Sequence, residues 1–325
     1  MRIRVPFVVA AALMLAAPAV AVRAAGATVS TSFPADFAVP IDAALRKPVI
    51  GFGGSAGRVR HVPVIFLHGN NDTPYNTGCA GAFGHIHDFA QYFSDHGYAP
   101  RELWALGYQG DQCDLATTPT NKSGPAHSTA ANVADLRAFV RAVLRYTGAK
   151  QVDLVGHSLG GTLVREWLRQ DRAYKLVRRV VAVDAPSHGI INCSPSPQNI
   201  WALPALGGFT PDSAICREYG SDRTPFLTRL NHAGESPGPT KWLAIYNADV
   251  SFVYIDKQDG PLPPVPAQDR DGKPHDFSRS AIHRGATNIP VVNQGSHDPD
   301  LMTAHLGIVN SPEVWQLALD FLSRR

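Results

Sequence analysis

The chain has 325 residues, 30 Lys and Arg against 27 Asp and Glu, a formal net charge of +3 and 13 histidines. The two charge signs are interspersed without a long basic run, which excludes an electrostatic footprint for nucleic acid. No C-x-x-C or H-x-x-x-H spacing marks a metal cage, and no residue pattern calls for a nucleotide, a flavin or a catalytic metal, so no cofactor is expected.

Arg2 and Arg4 precede an apolar stretch from Val5 to Val22, broken by Pro6 and Pro18 and followed by Ala24 and Ala25. This is the form of a secretory signal peptide cleaved near Ala24 or Ala25. The uninterrupted apolar run between the prolines is shorter than the ~20 residues a membrane-spanning helix needs. Residues 1–25 are therefore expected to be removed, leaving 26–325 as one exported α/β domain without a membrane anchor, in the periplasm or the medium.

Export bears on the four cysteines. Cys79, Cys113, Cys193 and Cys216 make an even set in a compartment that permits oxidation, and this favours two disulfides. Of the three pairings, Cys79 with Cys113 and Cys193 with Cys216 are preferred. The first two each follow an expected strand, and the second two bracket a single insertion.

Residues 26–60 are rich in Gly, Pro and Ala and read as an irregular lead-in able to add an edge strand. Val62 to Leu67 is a continuous apolar run ending at His68-Gly69-Asn70-Asn71, as expected of a strand buried on both faces. A helix is expected from Phe83 to His96 and a strand from Glu102 to Tyr108. Ser128 or Thr129 can cap a helix that runs to about Tyr146, with Val133, Leu136, Val140, Val143 and Leu144 at helical spacing and Gly148 closing it. Gln151 to Gly156 reads as a strand, Ser158 to Arg169 as a helix and Val177 to Val183 as a strand. Alternation of this kind argues for a mostly parallel sheet with helices on both faces.

Between Ser187 and Thr240 the alternation lapses into a Pro, Gly and Ser-rich insertion. A connection this long in a compact domain is usually functional. We read 187–240 as a lid or cap tied by Cys193 and Cys216, with Trp201, Leu203, Leu206 and Phe209 lining an acyl or polymer site. A plain cap packing the same residues inward is the alternative. Trp242 to Tyr246 and Ile289 to Val292 resume the sheet, and a helix from about Pro312 to Leu322 closes the chain.

Gly156-His157-Ser158-Leu159-Gly160 places G-x-S-x-G between an expected strand and an expected helix, the context that a nucleophile elbow requires. The hydroxyl of Ser158 would then stand exposed above the sheet. The Leu159 N–H, at the start of the following helix, would face the same spot and stabilise an oxyanion. His157 lies beside the serine on a sharp turn, where adjacent side chains point apart, so it reads as a packing or hydrogen-bonding residue rather than the base.

These residues, in order, resemble the bacterial class 2 lipases and the related extracellular polyhydroxybutyrate depolymerases of the α/β-hydrolase superfamily. Four blocks carry the resemblance: Pro63-Val64-Ile65-Phe66-Leu67-His68-Gly69-Asn70, the elbow at Ser158, Ala244-Ile245-Tyr246-Asn247-Ala248-Asp249, and His305-Leu306-Gly307-Ile308-Val309. The resemblance implies an α/β-hydrolase fold with Asp249 as the acid, His305 as the base and the Asn70 backbone N–H as the second oxyanion donor. Asp184, which also follows a strand, is the alternative acid, and His297 the alternative base. His68 reads as a structural, hydrogen-bonded histidine. The loop Asn70-Asn71-Asp72-Thr73-Pro74 is more polar than its counterpart in small class 2 lipases.

The expected activity is hydrolysis of carboxylic esters, lipid or short-chain, through an acyl-enzyme on Ser158. A polyester depolymerase would use the same chemistry on a solid substrate, and an acyltransferase would hand the acyl group to an alcohol. From a different class, a catalytically inactive secreted binding protein would lack a member of the Ser, Asp and His set.

Overall fold

The computed structural model describes residues 26–55, 57–76, 85–110, 127–203, 208–232, 234–248, 266–292, 305 and 307–324. The expected signal peptide, Cys79, Cys113, Leu206, Asp249 and His297 lie outside these residues.

Seven strands form one sheet: β1 (Ile50–Gly53), β2 (Val64–Leu67), β3 (Leu103–Gly107), β4 (Val152–His157), β5 (Val177–Val183), β6 (Lys241–Asn247) and β7 (Thr287–Val291). Their spatial order is β1-β3-β2-β4-β5-β6-β7. The lead-in does supply an edge strand, since β1 pairs antiparallel with β3. All other pairs are parallel. Every residue of β2, β3 and β4 is buried, which is why these segments read as unbroken apolar runs rather than as alternating ones.

The two-residue period of a strand divides these side chains between two cores. Ile65, Leu67, Leu154 and Val180 face Leu136 and Phe139 of α2 (Thr129–Thr147) and Leu163 and Trp167 of α3 (Leu159–Asp171). Val64, Phe66, Val155 and Val181 face Phe89 and Phe93 of α1 (Ile86–Asp95) and Val314 and Leu319 of α6 (Pro312–Ser323). Helices therefore cover both faces of a mostly parallel sheet, as the alternation of elements implied.

The insertion contains more regular structure than its composition suggested. Two short helices, α4 (Ala214–Tyr219) and α5 (Pro225–His232), lie within it, and Ile215, Tyr219, Phe226, Leu227 and Leu230 join the first core. Helices of six and eight residues hold barely two turns, too few for an apolar period to stand out. Cys193 and Cys216 form the disulfide expected between them.

The insertion also completes α2. Ser128 or Thr129 was expected to cap that helix; Ser128 stands at the N-cap position, but its side chain makes no cap bond. Its hydroxyl instead donates to Glu218 of α4 at 2.6 Å, and the same carboxylate accepts the N–H of Thr129 at 2.7 Å and of Ala130 at 3.2 Å. A carboxylate satisfies free N–H groups at a helix N-terminus more strongly than a hydroxyl does, because the end of the helix is positively polarised. Sequence could not reveal this cap, since the accepting carboxylate lies 88 to 90 residues away. Among the described residues no helix is long and apolar enough to cross a membrane.

Candidate active site

Parallel pairing fixes where the reactive residues stand. His157 at the end of β4 is in register with Val183 at the end of β5, and Val183 with Ile245 of β6. The residues that follow, Ser158 and Asp184, thus leave the same C-terminal rim of the sheet, where open α/β sheets bind ligands. Backbone bonds secure both: the Ser158 N–H donates to Val183 O and the Asp184 N–H to Ile245 O, each at 2.8 Å.

Ser158 has φ 51° and ψ −123°, a conformation that costs a non-glycine residue about 1–3 kcal/mol and persists only where its surroundings enforce it. The enforcement is local. β4 must turn within one residue into α3, and the small residue at 160 lets the loop after β2 come close. A Cβ on Gly160 would lie 2.6 Å from His68 O and 2.8 Å from Leu67 O. On the other side, a Cβ on Gly69 would lie 3.1 Å from Cβ of Ser158. The expected elbow is therefore present, with the His68-Gly69-Asn70 loop pressed against it.

His305 is brought to this rim. Its Nδ1–H donates to Oδ2 of Asp184 at 2.7 Å, and Asp184 is fully buried. Its backbone carbonyl accepts from Nε2 of His157 at 2.9 Å, and the two rings lie 4.7 Å apart between centroids. The carboxylate found against His305 is thus that of the alternative acid. Asp249, the acid implied by resemblance, lies outside the described residues, two positions past the end of β6.

Two further imidazoles are kept uncharged nearby. Burial holds His68 down to about 4, even though its Nδ1–H donates to Gly69 O at 2.7 Å. It stacks on Tyr108 with 4.1 Å between ring centroids, and the Tyr108 hydroxyl bonds the His68 carbonyl, which fits the structural role expected of it. Burial, and then the neighbouring His305, hold His157 well below the usual histidine range. Of these three imidazoles, only His305 has a carboxylate on its ring nitrogen.

The class 2 lipase family matches residues 61–258. The chain belongs to that family. It is a carboxylic ester hydrolase with the α/β-hydrolase fold, and the match begins three residues before β2 and takes in the elbow. No curated protein matches the chain. Several solved lipases and esterases are similar to it in structure. The mature lipase of Bacillus licheniformis superposes with a TM-score of 0.48 at 16% identity, over 84% of this chain and 98% of its own. Aspergillus fumigatus lipase B gives 0.46 at 17%, over 83% and 55%. A carboxylesterase of Bacillus subtilis gives 0.40 at 13%, over 85% and 92%.

The remaining expected residues of this lipase divide by place. Leu159 opens α3, where a backbone N–H has no partner inside the helix. Asn70 sits on the loop against the elbow, and its side-chain oxygen accepts from Nδ1 of His127 at 2.8 Å. His127 was not singled out from the sequence, because no local signal joins positions 57 residues apart. Trp201 and Phe209, expected to line the substrate site, are buried in the first core instead. Leu203 is 55% exposed. Among the described residues no group of three or more His, Cys, Asp or Glu side chains could hold a metal ion.

Proposed function

We propose that this lipase is an exported serine esterase that cleaves carboxylic esters through an acyl-enzyme on Ser158, with His305 as general base and Asp184 as the carboxylate that orients it. The observation that carries the reading is the 2.7 Å pairing of His305 with Asp184 beside an elbow whose serine has φ 51°. In this scheme Oγ of Ser158 attacks the ester carbonyl carbon while its proton passes to Nε2 of His305. Nδ1–H stays on Asp184, which stabilises the imidazolium that forms. The oxyanion is held by the backbone N–H groups of Leu159 and Asn70. As the tetrahedral species collapses, the leaving alcohol takes the proton from Nε2. Water then attacks the acyl carbon, yields its proton to the same nitrogen, and the acid leaves as the proton returns to Oγ.

Asp184 is preferred to Asp249 because its carboxylate is already against Nδ1 and is presented by the strand next to the elbow strand. Export is supported by the leader-like segment 1–25 and by the buried Cys193–Cys216 disulfide, a bond that persists in oxidising compartments. Residues 26–325 are read as one hydrolase domain, with 187–240 as a cap. The test is an ester panel run on wild type and Ser158→Ala, with folding checked by circular dichroism. Abolished turnover in the folded variant is expected, and equal turnover by the two proteins defeats the scheme.

A further inference from the structure

We propose that His157, the residue inside the elbow motif, is a positioning residue that fixes His305 in place for catalysis; this rests on His305 being the base. The bond concerned runs from Nε2 of His157 to the backbone carbonyl of His305 at 2.9 Å, across 148 residues of sequence. A carbonyl can only accept, so Nε2 carries a proton, and because burial keeps the ring uncharged it is the Nε2–H tautomer. His157 is covalently next to Ser158. The segment bearing the base is thus tied to the backbone of the nucleophile itself, so a shift in one carries the other along.

The remaining atoms of His157 show that packing alone does not explain a histidine here. Its Nδ1 is buried and has no hydrogen-bond partner among the described residues. A buried lone pair without a donor is unfavourable, and an apolar side chain of similar volume would avoid that cost. What the imidazole offers in return is the single N–H on its other nitrogen. His305 is then held at two points. Asp184 grips Nδ1 and sets the ring orientation, while His157 grips the carbonyl and sets where the residue stands.

Neutrality is part of the same arrangement. With ring centroids 4.7 Å apart, a charged His157 would oppose the imidazolium that must form on His305. Burial keeps His157 uncharged, and the nearby His305, His68 and His85 add to that effect.

Three variants at 157 test the idea through kcat and KM on a soluble ester, with melting temperature and circular dichroism as folding controls. His157→Leu keeps the bulk and removes the donor. His157→Gln places a carboxamide N–H near the position of imidazole Nε2. His157→Asn has an amide that ends near the position of Nδ1, short of the carbonyl. Since a displacement of about 1 Å at a reacting group costs up to about 10²-fold in rate, kcat should fall about 10- to 100-fold in the Leu and Asn variants, with KM changed by less than about threefold. The Gln variant should recover most of kcat.

Wild-type kcat in folded His157→Leu or His157→Asn overturns the proposal, as does a Gln variant no better than Asn. Where the Leu variant fails to fold, the ratio of Gln to Asn decides. His305→Asn is assayed beside them. If it is inactive while His157→Leu runs at wild-type kcat, only the positioning role falls; if it retains full activity, the role of His305 and with it that of His157 are both wrong.

Discussion

Oδ2 of Asp184 accepts a hydrogen bond from Nδ1 of His305 at 2.7 Å, across 121 residues of sequence. β5 and β4 run side by side and end level, so the residue after β5 leaves the sheet at the same rim as the elbow. Asp184 has φ 48°, an unusual value for a residue other than glycine, and one that turns the chain sharply off the sheet where the carboxylate is needed. Asp184→Asn should lower kcat by about 10³- to 10⁴-fold, because an amide no longer stabilises the productive tautomer or the imidazolium. Asp249→Asn should stay close to wild type. Steady-state rates on a short-chain ester check the ranking, and the reverse order would return the acid to Asp249.

Trp201 and Phe209 sit in the core with Ile215, Tyr219 and Phe226 of the insertion. Trp201→Ala should therefore act on stability, costing about 3–5 kcal/mol as expected for a large core side chain. Leu203→Ser, at a surface position, should change stability by less than about 0.5 kcal/mol. Urea unfolding midpoints measure both. Rates on short and long acyl esters should keep their ratio in Trp201→Ala. A shifted acyl preference with unchanged stability would instead give Trp201 a place in the substrate site.

Much of this was legible in the sequence, for identifiable reasons. β5 was read at its observed limits, Val177–Val183, because the apolar, mostly β-branched run Val180 to Val183 ends sharply at Asp184. The elbow was legible because strand, serine, glycine and helix are contiguous, so one local pattern holds both conformation and chemistry. What escaped is set by contacts between distant segments. The choice between Asp184 and Asp249 depends on which strand end His305 meets, and both candidates follow apolar strands. The Glu218 cap of α2, the His127 bond to Asn70 and the His157 bond to the carbonyl of His305 each join positions 57 or more residues apart. In the insertion, apolar residues that pack inward look the same in sequence as apolar residues that meet a substrate.

The Cys193–Cys216 bond closes a loop of 23 residues' separation around the start of the insertion. Replacing both cysteines by serine should lower stability by about 3 kcal/mol through the entropy regained by the unfolded chain. Denaturant unfolding measures this. Since Trp201 and Phe209 still anchor the segment in the core, kcat at a temperature well below unfolding should be retained. A collapse of activity with little loss of stability would show that the bridge shapes the site itself.

Asp135 of α2 gives the last prediction. Burial, together with the adjacent Asp42 carboxyl, raises Asp135 to about 6, against the N–H of Ala43, which donates to its Oδ1 at 2.9 Å. Asp42 is buried too, accepting the N–H groups of Ala44 and Leu45, so the pair ties the lead-in to α2. The folded state holds a proton on Asp135 more tightly than the unfolded chain does. Its contribution to stability is therefore full below about pH 4 and is lost as pH rises through about 6. At 1.36 kcal/mol per pKa unit, the wild-type loss attributable to this group is of the order of 3 kcal/mol. Asp135→Asn cannot titrate and should not show the loss, so the variant should gain on wild type between pH 4.5 and 7.5. Urea unfolding of both proteins at the two pH values reads the difference directly. An equal gap at both would mean that Asp135 titrates as an ordinary carboxylate.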